Sequence, residues 1–129
     1  MVMDYEKLCD YLESKPSARR DMPFGPDALV FKVLDKMFAL VAWQAEPLTI
    51  SLKADPVDAV ILRKQYTAVK PGYHLNKRHW ITVTLDGSVP DDELTLMIDD
   101  SYTLVAAGMT KTQKAHLKQL GWQGEGEIR

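Results

Sequence analysis

The chain has 129 residues, 46% of them hydrophobic and 26% charged, a length and make-up that fit one globular domain and exclude two full ones. Its 16 Lys and Arg against 18 Asp and Glu leave a formal charge of −2, so neither global disorder nor indiscriminate coating of nucleic acid is expected. A single cysteine, Cys9, excludes an internal disulfide. The longest unbroken apolar stretch, Met37 to Trp43, is far short of the ~18 residues of a membrane span.

The opening Met1-Val2-Met3-Asp4-Tyr5-Glu6 carries acids where a signal peptide needs a basic region and an apolar run, so a cytoplasmic location and no membrane partner are expected. Asp4 can cap a first helix on which Tyr5, Leu8, Cys9 and Leu12 recur at helical spacing until Pro16 stops it. Between Ser17 and Pro26 stand Arg19, Arg20, Asp21, Pro23 and Gly25, a composition that predicts a loop. Leu29 to Val33 and Met37 to Trp43 are β-branched and aromatic runs around Leu34-Asp35-Lys36, which predicts a hairpin. Leu48, Ile50 and Leu52 alternate with Thr49, Ser51 and Lys53, the pattern of a strand with one buried and one wet face.

Asp55 followed by Pro56 starts a short second helix with Val57, Val60 and Ile61 as its apolar stripe. Pro71 and Gly72 break the chain ahead of a strand in which Ile81, Val83 and Leu85 alternate with Trp80, Thr82 and Thr84, ending at the turn Asp86-Gly87. Asp91, Asp92 and Glu93 after Pro90 favour a helix start, and Leu94, Met97, Ile98, Ser101 and Val105 then share one face, with Ser101 pointing inward. Gly108 ends that helix, and Thr110-Lys111-Thr112-Gln113 has the capping-box pattern for a last helix carrying Leu117 and Leu120 and closed by Gly121. Residues 1–121 are expected to form the domain and Trp122 to Arg129 a frayed tail. The order α-β-β-β-α-β-β-α-α predicts a two-layer α+β fold, an antiparallel sheet with helices on one face and the other face wet. One core should hold Ile50, Leu52, Ile81, Val83, Leu94, Ile98 and Val105, with Thr49, Ser51, Thr82 and Thr84 pointing away from it.

Charge is unevenly distributed along the chain. From Arg63 to His79 stand Arg63, Lys64, Lys70, Lys77 and Arg78 with no acid, whereas Ile81 to Thr110 holds six acids and no base. Folded onto different surfaces these blocks would steer an anionic partner to one side; folded together they neutralise each other as solvated neighbours. The densest segment, Pro71 to Trp80, mixes Lys77 and Arg78 with Asn76, His74, His79, Tyr73 and Trp80, the combination that grips phosphates and lies against bases or sugars. Strand alternation puts Trp80 on the polar face; the alternative is that it caps the sheet over the Pro71–Tyr73 loop.

His74 and His79 lack a Cys partner, a neighbouring carboxylate or an H-E-x-x-H spacing, so no metal site is read. Cys9 lies on an apolar face as a neutral thiol, Ser101 lacks a nucleophile elbow, and the pairs Asp91-Asp92 and Asp99-Asp100 diverge around a helix as solvated acids. The seven glycines contain no phosphate-binding loop, and neither an enzyme nor a cofactor is expected.

Several blocks nonetheless carry a likeness: Lys36-Met37-Phe38-Ala39, Ser51-Leu52-Lys53, Pro71 with His74-Leu75-Asn76-Lys77-Arg78-His79-Trp80, Leu85-Asp86-Gly87, and Ser101-Tyr102. In these the chain resembles the MmcQ/YjbR family over most of residues 4–120. The resemblance implies a two-layer α+β fold with a "double-wing" motif, its wings being the hairpins near residues 29–43 and 72–85, and DNA binding. Residues and resemblance together lead to the expectation of a non-catalytic nucleic-acid-binding module that contacts phosphates through Lys53, Lys70, Lys77 and Arg78. His74, Asn76 and His79 complete the surface, and Trp80 offers a stacking plane. The alternative is a protein- or small-ligand-binding adaptor using the open sheet face.

Overall fold

The computed structural model describes residues 4–73 and 75–124. Helix α1 (Tyr5–Glu13) is capped by the Asp4 carboxylate, which accepts from the Lys7 N–H, and buries Leu8, Cys9 and Leu12. Strands β1 (Ala18–Asp21), β2 (Leu29–Val33), β3 (Lys36–Ala42) and β4 (Thr49–Lys53) follow, then α2 (Pro56–Gln65), β5 (Val69–Pro71), β6 (Trp80–Thr84), α3 (Asp91–Ala107) and α4 (Lys111–Gln119). The six strands form one antiparallel sheet in the order β1-β2-β3-β4-β6-β5. The fold is the expected α+β type, with α3 lying across β2, β3 and β4, α1 against β1 and α2 against β5.

The seven residues expected in one core all lie there, joined by Phe31, Phe38, Tyr102 and Leu117. Register puts Ile50 beside Val83 and Leu52 beside Ile81, and in the alternate rows Thr49 beside Thr84 and Ser51 beside Thr82. The second face is less wet than its polar rows suggest, because Val30 and Ser51 on it are buried. Ser51 is satisfied there by a 2.7 Å hydrogen bond with the Thr82 hydroxyl.

Four expectations are corrected. Residues 18–21, read as loop, form the edge strand β1, paired with β2 from Ala18↔Val33 to Asp21↔Val30. An edge strand is held by its backbone and tolerates charge, and here two of the three charges are tied down: Arg20 donates two hydrogen bonds to Glu13, and Lys32 pairs with Asp21. On α2 the stripe Val57, Val60 and Ile61 is exposed; the helix instead buries Ala59 and half-buries Leu62 and Tyr66 against the core. Leu120 is likewise exposed. Trp122, expected in the tail, is buried, its N–H bonded to the Leu117 carbonyl as the chain turns back at Gly121, where φ is +114°. The tail residues 125–129 lie outside the described residues.

The Glu13–Arg20 pair joins the end of α1 to β1, and hydrogen bonds from Arg20 hold the Glu13 carboxyl below its usual range. A lowered carboxyl pKa contributes stability that is present above the unfolded value near ~4.3 and is lost as pH falls through the folded one. Both side chains are more than a third exposed, so the contribution stays below about 1 kcal/mol. Glu13→Gln should therefore be slightly less stable than the parent near neutrality in urea unfolding, with the gap closing on acidification; a gap that persists in acid would refute the assignment.

Candidate nucleic-acid interface

β5 and β6 are joined by the loop 72–79, which is closed by its own polar groups. The Asn76 carboxamide oxygen accepts from the Arg78 N–H at 2.9 Å and the Asn76 carbonyl from the His79 N–H at 3.2 Å, so Asn76 makes the turn itself. Lys77 Nζ donates to the Gly72 carbonyl at 2.9 Å. The Gly72 N–H donates to the Trp80 carbonyl at 2.9 Å, and a Cβ on Gly72 would stand 2.7 Å from the Trp80 Cβ. That approach admits only glycine without a shift. Gly72→Ala should destabilise the protein by about 1–3 kcal/mol, read as a lower thermal midpoint; an unchanged midpoint would show that the hairpin yields freely.

Lys64, Lys70, Lys77, Arg78 and His79 are exposed, and Tyr73 is 70% exposed. Among the described residues, none of Arg63, Lys64, Lys70, Lys77 and Arg78 is in an ion pair, unlike Lys15 with Asp99, Arg20 with Glu13 and Lys32 with Asp21. Arg63, Lys77 and Arg78 share one groove between α2 and the loop. The basic block thus lies at the β5 edge, while at the opposite edge Arg20 and Asp21 of β1 are paired and Arg19 is exposed.

One expected contact, Lys53, lies apart from this surface, and Trp80 beside the loop is only partly exposed. Lys53 stands opposite Trp80 in the register but is half-buried and lines a cleft between α2 and α3 that also holds Asp55, Asp58, Glu93 and Asp100. Its charge is surrounded by carboxylates rather than added to the basic edge. Trp80 is half-buried where its Cβ covers Gly72, which fits the capping alternative. His74 lies outside the described residues. Arg63 is legible in the sequence as a cation, and only the approach of α2 to the loop brings it beside Lys77.

Burial pushes the Cys9 thiol up. Ser101, fully buried, donates from Oγ to the Phe38 carbonyl at 2.6 Å and accepts from the Lys53 N–H at 2.9 Å. Asp99, expected to be solvated, accepts a 2.6 Å hydrogen bond from the Tyr11 hydroxyl and pairs with Lys15; burial and that carboxylate raise the Tyr11 pKa. Among the described residues, no three His, Cys, Asp or Glu side chains are placed to hold a metal, and no helix is long and apolar enough to cross a membrane.

Comparison with known proteins locates the chain. The YjbR family model matches residues 13–104. The uncharacterized protein YjbR of Escherichia coli K12 is 36% identical over 118 residues, 92% of this chain and all of that protein. The uncharacterized protein YbdF of E. coli O157:H7 is 36% identical over 96 residues, 74% of this chain and 79% of its own. A crystal structure of a Deinococcus radiodurans protein described by the domain DUF419 is 40% identical, with a TM-score of 0.84 over 91% of this chain and 89% of that one. A Pseudomonas syringae protein of known structure, 33% identical, gives a TM-score of 0.69 over 79% of this chain and 98% of its own. With the family model covering most of the sequence and relatives matching nearly end to end, the chain belongs to the YjbR family.

Proposed function

We propose that this protein is a non-catalytic nucleic-acid-binding module whose phosphate contacts come from the β5 edge, through Lys64, Lys70, Lys77 and Arg78. The observation that carries the reading is the segregation of charge: an acid-free stretch of sequence folds onto one side of the molecule, and none of its cations is neutralised by an ion pair among the described residues. A net charge of −2 does not oppose this, because an anionic polymer responds to the local field at the surface it meets, within roughly 8–10 Å at ordinary salt. The hydrogen-bonded loop holds Arg78 just after the Asn76 turn. The two hairpins β2–β3 and β5–β6 correspond to the wings of the double-wing description, of which the second carries the charge.

Fluorescence anisotropy with short duplex and single-stranded DNA at two salt concentrations tests the proposal. Four phosphate contacts give log affinity falling with log salt at a slope of roughly −3 to −4. Absence of binding at low salt would end the reading.

A further inference from the structure

The second face of α2 is unused by the fold. Val57, Val60 and Ile61 are 66%, 41% and 53% exposed, and their spacing puts them on one side of the helix, whereas the corresponding stripes of α1 and α3 are buried. This apolar face forms one wall of a groove of about 400 Å³ whose lining is Pro56, Val57, Val60, Ile61, Arg63, Lys77 and Arg78. Among the described residues, no carboxylate lines it. Arg63 is in no ion pair among the described residues, and its Nη1 is buried without a hydrogen-bond acceptor. A half-buried guanidinium without a counter-charge among the described residues makes the wall electropositive.

We infer that this groove docks an acidic amphipathic segment of a partner protein, laying apolar side chains on Val57, Val60 and Ile61 and carboxylates against Arg63, Lys77 and Arg78. Charge complementarity selects the occupant: three unbalanced cations repel a basic segment and favour an acidic one. The aliphatic wall selects further, since covering it removes apolar area from water, which a phosphodiester backbone cannot do. The inference goes beyond nucleic-acid binding and rests on residues that reading does not use; only Lys77 and Arg78 serve both.

Three synthetic peptides serve as probes: one with Leu at i, i+3, i+4 and i+7 and Glu elsewhere, one with Lys in place of Glu, and one with Ser in place of Leu. By anisotropy the first should bind the full chain and the others should not. Val60→Ser with Ile61→Ser, a charge-neutral change at exposed positions, should weaken the first peptide about tenfold or more while leaving oligonucleotide affinity unchanged. Arg63→Gln should weaken the peptide comparably, with circular dichroism confirming that both variants fold. Failure of the acidic peptide to bind, equal binding of the Lys peptide, indifference to the double serine variant, or preferential binding to anionic lipid vesicles would each overturn the proposal. Loss of oligonucleotide binding in the double serine variant would instead make the groove part of the nucleic-acid surface and equally overturn it.

Discussion

Lys77→Glu with Arg78→Glu is expected to reduce nucleic-acid affinity at least a hundredfold at moderate salt and to flatten the salt dependence. The two residues lie on the exposed loop between β5 and β6, where Arg78 follows the Asn76 turn and Lys77 is anchored to Gly72 by a hydrogen bond. Each reversal removes one phosphate contact and sets a repulsive charge in its place, so the slope should shrink by roughly 2 as two counterion releases are lost. Net charge falls by four in the double variant, and a control must fall by the same amount elsewhere. Lys7→Glu with Lys111→Glu does so on α1 and α4, which lie toward the β1 edge, and it should retain most of the binding. Equal loss in both variants would mean that total charge, rather than the β5 edge, governs the interaction. His79→Ala should change affinity by no more than a few fold, because the loop uses the His79 backbone, whose N–H meets Asn76 and whose carbonyl accepts from Ala54.

Ser101→Ala is expected to be the most destabilising truncation of a polar side chain. The β3–β4 ladder ends at Ala39↔Leu52, and the bulge in β3 skips Phe38 in its pairing with β2. The Phe38 carbonyl and the Lys53 N–H are thereby left at the break, and the Ser101 hydroxyl bridges them from α3. Without it, two buried backbone groups lose their partner at about 1–3 kcal/mol each, against a helix-propensity gain for Ala of roughly 0.5 kcal/mol. The net loss is about 2–5 kcal/mol, visible as a lower urea midpoint at unchanged slope. Ser51→Ala, which removes a hydroxyl bonded to the Thr82 hydroxyl, should cost only about 1 kcal/mol. Similar losses at both positions would place the weight of Ser101 in packing rather than in the bridge.

The bridge also shows what kind of information a sequence holds. That Ser101 points inward follows from its offset of seven from Leu94, a property of one helix; that it closes a sheet defect depends on a bulge 63 residues away. The caps at Asp4, Asp55 and Thr110 and the alternation of Ile50, Leu52, Ile81 and Val83 were readable because each is decided by residues within one turn or one strand. β1 was not readable, since Ala18-Arg19-Arg20-Asp21 has no apolar period and is held by its pairing with β2. α2 differs from its expected orientation because it carries two apolar sets. Val57, Val60 and Ile61 fit a stripe as well as Ala59, Leu62 and Tyr66 do, and only the position of the helix against β5 decides which is buried.

For the candidate site the division is the same. The order of residues alone determined that five cations between Arg63 and Arg78 come without an acid, and that Asn76 and Gly72 favour a tight hairpin. Tertiary structure decided which of the basic residues act together. It gathered Arg63, Lys77 and Arg78 along one groove and placed Lys53 among the carboxylates of another cleft. The physical reason is range: turns and caps are fixed by hydrogen bonds over a few residues, whereas the potential at a surface sums charges from elements that only the packed fold brings within a Debye length.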